Sequence, residues 1–313
     1  MELKFLFFLL IILPYIIYGR KIPKRLVEEM QQLNEYAKEG TPIADNSLIL
    51  YEDGFLGEGS MGFLYAGILK KDRHPVAIKF VRKANSKSVQ EEIEIFKKLK
   101  AYKNPQIEKK GFPNVYYYGN WSSYILTAMT KLDVSLWDIQ KKEEKLHTQI
   151  IRPLDMMILF KNFVIQTKYM HDKGISHGSV HSWHIMLGLK RSFIIDFKES
   201  HEMKKEARFE LTHEDWKSFI RMTAMFYGIE YCDYWKCFKE KLHKRILDNG
   251  LKRVIEKFGD EAFSTNHPQR LLKYDHLEEF INKEIKEKRS YLGSTPLKNS
   301  WLSNWDRIFK WRK

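Results

Sequence analysis

Leu56-Gly57-Glu58-Gly59-Ser60-Met61-Gly62-Phe63-Leu64-Tyr65-Ala66-Gly67 sets three glycines in G-x-G-x-x-G spacing. Lys70-Lys71-Asp72-Arg73-His74-Pro75 reads as a turn, and Val76-Ala77-Ile78-Lys79-Phe80 follows it. A glycine triad that opened a helix would indicate a dinucleotide-binding unit. Here the next residues are apolar and aromatic and end in a turn. The order is therefore strand, glycine turn, strand, turn, strand. Glycines let backbone N–H groups approach phosphate oxygens with no Cβ in the way. Lys79 adds a cation close by in the chain.

Further segments extend the pattern outward. Ser86 to Lys100 reads as a helix carrying Glu91, Glu92 and Glu94. Gly111-Phe112-Pro113-Asn114-Val115-Tyr116-Tyr117-Tyr118-Gly119 comes next, then Tyr124 to Asp138. Gln166 to Gly174 closes another helix and leads into His177-Gly178-Ser179-Val180-His181-Ser182-Trp183-His184. Phe193-Ile194-Ile195 runs as a strand into Asp196-Phe197-Lys198.

In this order and spacing the segments resemble the protein kinase superfamily, and its casein-kinase-one branch in particular. The resemblance implies an α+β, bilobal fold with a small β-rich N-lobe and a large helical C-lobe, and it implies ATP as ligand. It makes Gly57, Gly59 and Gly62 the phosphate-covering loop. Lys79 would contact the α- and β-phosphates and be held by Glu92, which fits the family's E-x-x-I-x-x-x-L with Ile95 and Leu99. Adenine would lie between Leu64 and Ala77 on one side and Met186 on the other. Met129 would be the gatekeeper and Thr130 to Leu132 the hinge. Taken singly, each of these apolar residues reads equally well as ordinary core.

The family's catalytic loop, H-R-D-x-K-x-x-N, falls on His177 to His184. His177 keeps the first position, whose family role is to brace the loop. Gly178 stands in place of Arg, Ser179 of the catalytic Asp, His181 of Lys and His184 of Asn. A serine offers no acceptor charge for a substrate hydroxyl. A histidine with an ordinary pKa is mostly neutral near pH 7. Imidazole is a poor ligand for Mg²⁺, which prefers hard oxygen. Asp196 alone remains as a position for Mg²⁺, and Lys198 replaces the glycine of D-F-G. Two other readings of the loop are weaker. A zinc site at His177, His181 and His184 has no carboxylate nearby in the pattern, and a Ser179–His181 nucleophile pair has no evident orienting acid. Asp215, in Glu214-Asp215-Trp216, matches the buried aspartate that opens the family's long C-lobe helix. The stretch from Phe197 to Glu214 is shorter than the substrate platform of active kinases and lacks A-P-E.

The net charge is +14, from 54 Lys and Arg against 40 Asp and Glu. Lys and Glu are interleaved along most of the chain, which reads first as a solvated surface. No zinc spacing or RNA-binding signature accompanies the charge, so no dedicated nucleic-acid module is expected. There are two cysteines, Cys232 and Cys237. Tyr227 to Leu247 reads as one helix, and five residues of helix advance about 7.5 Å. Bridged Cα atoms rarely lie more than about 7 Å apart. Two buried free thiols are expected. Residues 201–290 read as helices with breaks near Gly250, Gly259 and Asn266-His267-Pro268.

The expected organisation is a signal peptide at 1–19, a helical extension at 20–50, a kinase-like domain at 51–290 and a basic aromatic tail at 291–313. Within the domain, 51–129 is the N-lobe and 130–290 the C-lobe. Phe5 to Tyr18 is an apolar run too short to span a membrane, which takes about 20 residues. It is followed by Gly19 and Arg20, as in a secretory signal. The alternative is an uncleaved anchor. Leu26, Val27, Met30, Leu33 and Tyr36 fall at helical spacing, and Gly40-Thr41-Pro42 ends that helix. In the tail, Trp301, Trp305, Ile308 and Phe309 share a helical face. It can dock on the domain itself or lie on an anionic membrane.

Three readings of function follow. One is a secreted, catalytically impaired pseudokinase that acts by binding a protein partner. A nucleotide-sensing switch is compatible with it. Against both stands an active atypical Ser/Thr kinase that uses another residue as base.

Overall fold

The computed structural model describes residues 24–59, 61–146, 151–204, 206–229, 235–245, 248–263 and 272–291. The expected signal peptide, Ser60, Cys232, the break at 266–268 and the tail beyond Tyr291 lie outside the described residues. The chain divides into two compact units. One holds the residues up to Lys83 with Tyr118–Ala128, and the other holds Ala84–Tyr117 with Met129 onward. The expected boundary at 129/130 differs from this division, because residues 84–117 group with the second unit.

The first unit opens with helix α1 (Lys24–Lys38), whose bounds are those the apolar periodicity predicts. Gly40 ends it in the left-handed region at φ 62°. The Gly40 amide donates to the Ala37 carbonyl and the Thr41 amide to that of Tyr36, a paired closure of the last turn. Three strands follow, β1 (Leu48–Gly59), β2 (Gly62–Leu69) and β3 (Pro75–Arg82). Helix α2 (Ser86–Lys98) belongs to the second unit. The chain then forms β4 (Val115–Trp121) and β5 (Tyr124–Thr130), and the sheet order is β1-β2-β3-β5-β4.

Strand register decides which residues share a face. β2 pairs with β3 antiparallel, with Phe63 opposite Phe80, Leu64 opposite Lys79, Tyr65 opposite Ile78 and Ala66 opposite Ala77. Directly paired residues point the same way, and neighbours along a strand alternate. Phe63, Tyr65, Ile78 and Phe80 therefore line one face, and Leu64, Ala77 and Lys79 the other. The aromatic face is the covered one. Phe63 stacks on Phe80 at 4.9 Å, and Tyr124 meets both rings edge-on. The Tyr65 hydroxyl bonds Asn34 of α1, and Arg82 pairs with Glu29 at 3.2 Å. Each large apolar side chain buried here contributes about 1.5–3 kcal/mol over exposure.

The second unit is mainly helical. After β6 (Val134–Ser135) and α3 (Leu136–Leu146) comes its central helix α4 (Pro153–Asp172). Pro153 suits the first helical position, where its missing N–H is not needed. Met156, Phe160, Phe163, Val164 and Met170 are all buried, so α4 is apolar on most sides, as an interior helix must be. Short strands β7 (Ile175–Ser176), β8 (Ile185–Gly188), β9 (Arg191–Ile194) and β10 (His201–Glu202) follow. Helices α5 (Arg208–Met225), α6 (Trp235–Arg245), α7 (Asn249–Ala262) and α8 (Tyr274–Tyr291) complete the unit. Phe163 of α4 stacks on Phe219 of α5 at 3.8 Å, and Phe160 meets Phe258 of α7 at 5.1 Å. Among the described residues no helix is long and apolar enough to cross a membrane.

Several expectations are corrected here. The long helix starts at Arg208 rather than Glu214, which shortens the segment after Asp196 further. Residues 201 and 202 form strand β10 against β7, not helix. The break near Gly250 is present, since α6 ends at Arg245 and α7 begins at Asn249, but Gly259 does not break a helix, because it lies within α7. A glycine inside a helix costs about 1 kcal/mol against alanine. At position 259 a Cβ would overlap the Trp235 indole, so the missing side chain admits that ring. Tyr227–Leu247 is not one helix either. α5 ends at Met225, Gly228 adopts φ 63°, and α6 begins at Trp235. Cys237 is half-buried and disulfide-bonded rather than a buried free thiol. The argument against a bridge required a continuous helix through 227–247, and that helix is absent.

Candidate functional site

The first unit holds the glycine hairpin. Gly57 pairs with Leu64 and Gly59 with Gly62. At Gly62 a Cβ would overlap the Phe80 carbonyl oxygen, so this glycine lets β2 lie against β3. A Cβ at Gly57 would meet nothing within 4 Å. Leu64 and Lys79 are half-buried, and Ala77 is buried beside them on the same face. The strand period thus gathers a cation, a small residue and an aliphatic residue on the face opposite α1.

Within the second unit lies the loop after β7, and its brace is Asp215 of α5. Asp215 is buried. It accepts hydrogen bonds from the His177 amide at 2.7 Å and the Gly178 amide at 2.9 Å, and its other contact is the His171 ring at 3.0 Å. Burial would raise the Asp215 carboxyl, but the His171 hydrogen bond and charge, the His177 ring and the His177 amide outweigh it. The carboxyl is held below its ordinary value. His177 is fully buried, with Nε2 3.0 Å from the Ile195 carbonyl and its ring against Phe197. Burial holds its pKa down. Phe197 in turn meets Phe96 of α2 at 5.2 Å.

Gly178 is at φ 75°, and a Cβ there would overlap the Glu199 carbonyl oxygen. The glycine at the arginine position is therefore required by the backbone of this loop. Ser179 Oγ lies 3.2 Å from His181 Nε2. His181 lies against His184, with ring centres 3.8 Å apart and planes tilted by 37°. Burial and the neighbouring His184 and His177 push the His181 pKa down to about 4, with Asp196 opposing and Lys198 assisting. At neutral pH the ring at the lysine position is uncharged. His181 Nδ1 is buried and has no hydrogen-bond partner, so no acid orients the ring for a nucleophilic Ser179.

His184 is buried, and its Nδ1 donates to the Ser179 carbonyl at 2.7 Å. Its Nε2 lies 3.2 Å from Asp196 Oδ2, and Lys198 Nζ lies 3.8 Å from the same oxygen. Asp196 itself adopts φ 62°. Mg²⁺ requires oxygen ligands at about 2.0–2.1 Å in octahedral array. At Asp196 the Oδ2 atom is faced by an imidazole and an ammonium, so Oδ1 is the carboxylate oxygen these nitrogens leave open. Among the described residues no group of three or more His, Cys, Asp or Glu is arranged to hold a metal ion.

Of the other predicted residues, Glu92 is buried on α2, and Met186 is half-buried on β8 opposite Phe193. Met129 is half-buried. Thr130 is tied down, accepting from the Asn114 amide at 2.8 Å and donating to Glu108 at 2.6 Å. Lys79 belongs to the first unit, and Glu92, Met186, Ser179, His181, His184 and Asp196 to the second. The contact of His184 with Asp196 is the feature sequence reasoning missed. The two residues sit on either side of a hairpin, and no local pattern signals the approach.

No family model matches the chain. A stretch of 165 residues, 50% of the chain, is 26% identical to Casein kinase I homolog 3 of Schizosaccharomyces pombe. The chain spans about a third of that relative's length, 34%. Among solved structures it is similar to vaccinia related kinase 3. The TM-score is 0.60 with 12% identity, over 83% of this chain and 96% of that one. The fold is thus α+β and bilobal, that of the protein kinases, and the sequence is casein-kinase-like.

Proposed function

We propose that this protein is a kinase-fold binding protein that does not transfer phosphate. One observation carries the reading: the loop from His177 to His184 is fully braced yet holds no carboxylate. Its base position is a serine bonded to a neutral histidine. Positioning and charge supply nearly all of the rate in phosphoryl transfer. A loop that keeps the first and lacks the second is suited to shape rather than chemistry. The test is radiolabel transfer from ATP to the chain itself and to acidic peptides, and none is expected. Transfer that disappears in Lys79→Ala would establish the atypical-kinase reading instead.

Nucleotide binding is the finer part of this proposal. Gly57, Gly59, Gly62, Leu64, Ala77 and Lys79 are a set that fits phosphates and a base. Glu92 is a buried carboxylate on α2 of the second unit. ATP at about 1 mM should raise the melting temperature if the site is used, since a ligand stabilises only the state that binds it. Lys79→Met should remove the rise. No rise with any nucleotide would leave these residues as scaffold.

Export is proposed from the leader and from Cys237. Disulfides persist mainly in oxidising compartments. Protein recovered from a secretory host should begin near Arg20, and a membrane-held product starting at Met1 would favour the anchor. The partner is proposed to be a protein, with membrane contact through the basic tail as the second reading.

A further inference from the structure

We propose that Asn120 is a site of N-linked glycosylation. The inference rests on the export reading above, because the transfer takes place in the secretory compartment.

Asn120-Trp121-Ser122 is the one N-x-S/T triplet in the sequence. Such a triplet is the acceptor pattern for an N-linked glycan when its middle residue is not proline. As a string it recurs by chance, so the weight rests on where the fold puts it. Asn120 and Trp121 are the last two residues of β4, and Ser122 and Ser123 make the turn into β5. β4 ends the sheet order, so among the described residues no further strand lies on its outer side. A bulky group there has room.

Trp121 is held inward. Its ring meets Tyr36 of α1 edge-on at 5.5 Å and Phe80 of β3 edge-on at 6.1 Å. Neighbours along a strand alternate in direction. The anchored Trp121 therefore turns Asn120 off the aromatic face that α1 covers, and Asn120 is exposed. Among the described residues no hydrogen bond holds its side chain, so a glycan on it displaces no contact of the fold. Ser122 is exposed as well, at φ 51°. The Ser123 carbonyl accepts from the Lys83 amide at 3.1 Å, which pins the turn.

The reaction is a substitution at the first sugar carbon of a lipid-diphosphate-linked oligosaccharide. The bond from Asn120 Nδ2 to that carbon forms as the carbon's bond to the diphosphate oxygen breaks. The lipid diphosphate leaves with the electron pair, Nδ2 gives one proton to a base, and nothing is oxidised or reduced. The Ser122 hydroxyl, two residues on, is part of the pattern the transferring enzyme reads.

The experiment is translation of the full chain with eukaryotic secretory microsomes. Entry is read by protection from added protease. The glycan is read as a slower gel band that a peptide N-glycosidase returns to the unmodified position. The protected chain should show that band, and Asn120→Gln and Ser122→Ala should each abolish it. A protected chain with no slower band would overturn the proposal. So would a slower band that survives Asn120→Gln, since the sugar would then sit elsewhere. An unprotected chain counts against export instead, and the full chain is then carried in behind a leader of known cleavage. With that leader, a slower band lost in Asn120→Gln supports the site, and an unshifted protected chain overturns it. Failure of export and failure of glycosylation are thereby read separately.

Discussion

The glycine hairpin of the first unit and the His177–His184 loop of the second have kept different things. The hairpin keeps both the side-chain types and the backbone demands of its pattern. Gly62 lies flat against β3, and Lys79 stands on the face with Leu64 and Ala77. The loop keeps only what holds its backbone. Asp215 still bonds two successive amides, and His177 still bridges to Ile195, while positions 178, 179, 181 and 184 carry other chemistry. The bracing contacts run from a helix side chain to loop amides. They do not depend on what the loop's outward residues are, so a kinase-like loop can lose its reactive groups and stay folded.

The largest expected effect tests that brace. Asp215→Ala removes a buried carboxylate and strands two amides and the His171 ring. We expect a loss of about 3–5 kcal/mol in urea unfolding. A loss below about 1 kcal/mol would mean that the loop holds its own shape, and the contrast with the hairpin would disappear.

Next is the hairpin. Gly62→Ala places a Cβ on the Phe80 carbonyl, and backbone cannot yield as a flexible side chain can. We expect about 3 kcal/mol, the upper end for overpacking. Hydrogen exchange should quicken at β2 and β3 amides and stay unchanged in α5. Equal quickening in both units would show that they unfold as one.

A smaller effect is expected from restoring the arginine. Gly178→Arg forces a side chain into a left-handed position against the Glu199 carbonyl, for about 2 kcal/mol. Adding Ser179→Asp should bring no transfer of phosphate, because the loop no longer has the backbone path that an arginine there requires. Stable protein that transfers phosphate would show that the loop is altered only in its side chains.

Much of this was legible in local pattern. The bounds of α1 followed from apolar spacing, and the strand order of the first unit followed from where glycines and turns fall. Asp215 was legible through the kinase resemblance of Glu214-Asp215-Trp216, although it lies inside α5 and not at its start. What was missed lies in contacts between distant segments. Gly259 reads as a helix breaker until the Trp235 ring is seen to need its space. Gly178 reads as a lost arginine, although the Glu199 carbonyl makes it a steric requirement. The Cys237 bridge was hidden by extending one helix through a stretch where Gly228 turns the chain. His184 on Asp196 depends on the geometry of the β8–β9 hairpin, which spacing alone does not give.

The smallest effect concerns acid. The His181 pKa is lowered from 6.5 to about 4 in the folded chain. The unfolded chain therefore takes up this proton first as pH falls. The stability the neutral ring contributes is whole above about pH 6.5 and is lost progressively down to about pH 4. The ring is half-exposed, and solvent screening discounts the contribution to about 1 kcal/mol or less, a melting-temperature difference of about 2 °C. Wild type should fall more steeply than His181→Asn across that window. A residual slope should remain in the variant, because buried His177 is lowered as well and the substitution leaves it in place. Parallel curves for the two proteins would mean that His181 is charged in the loop, and with it would go the contrast between a braced backbone and a discharged site.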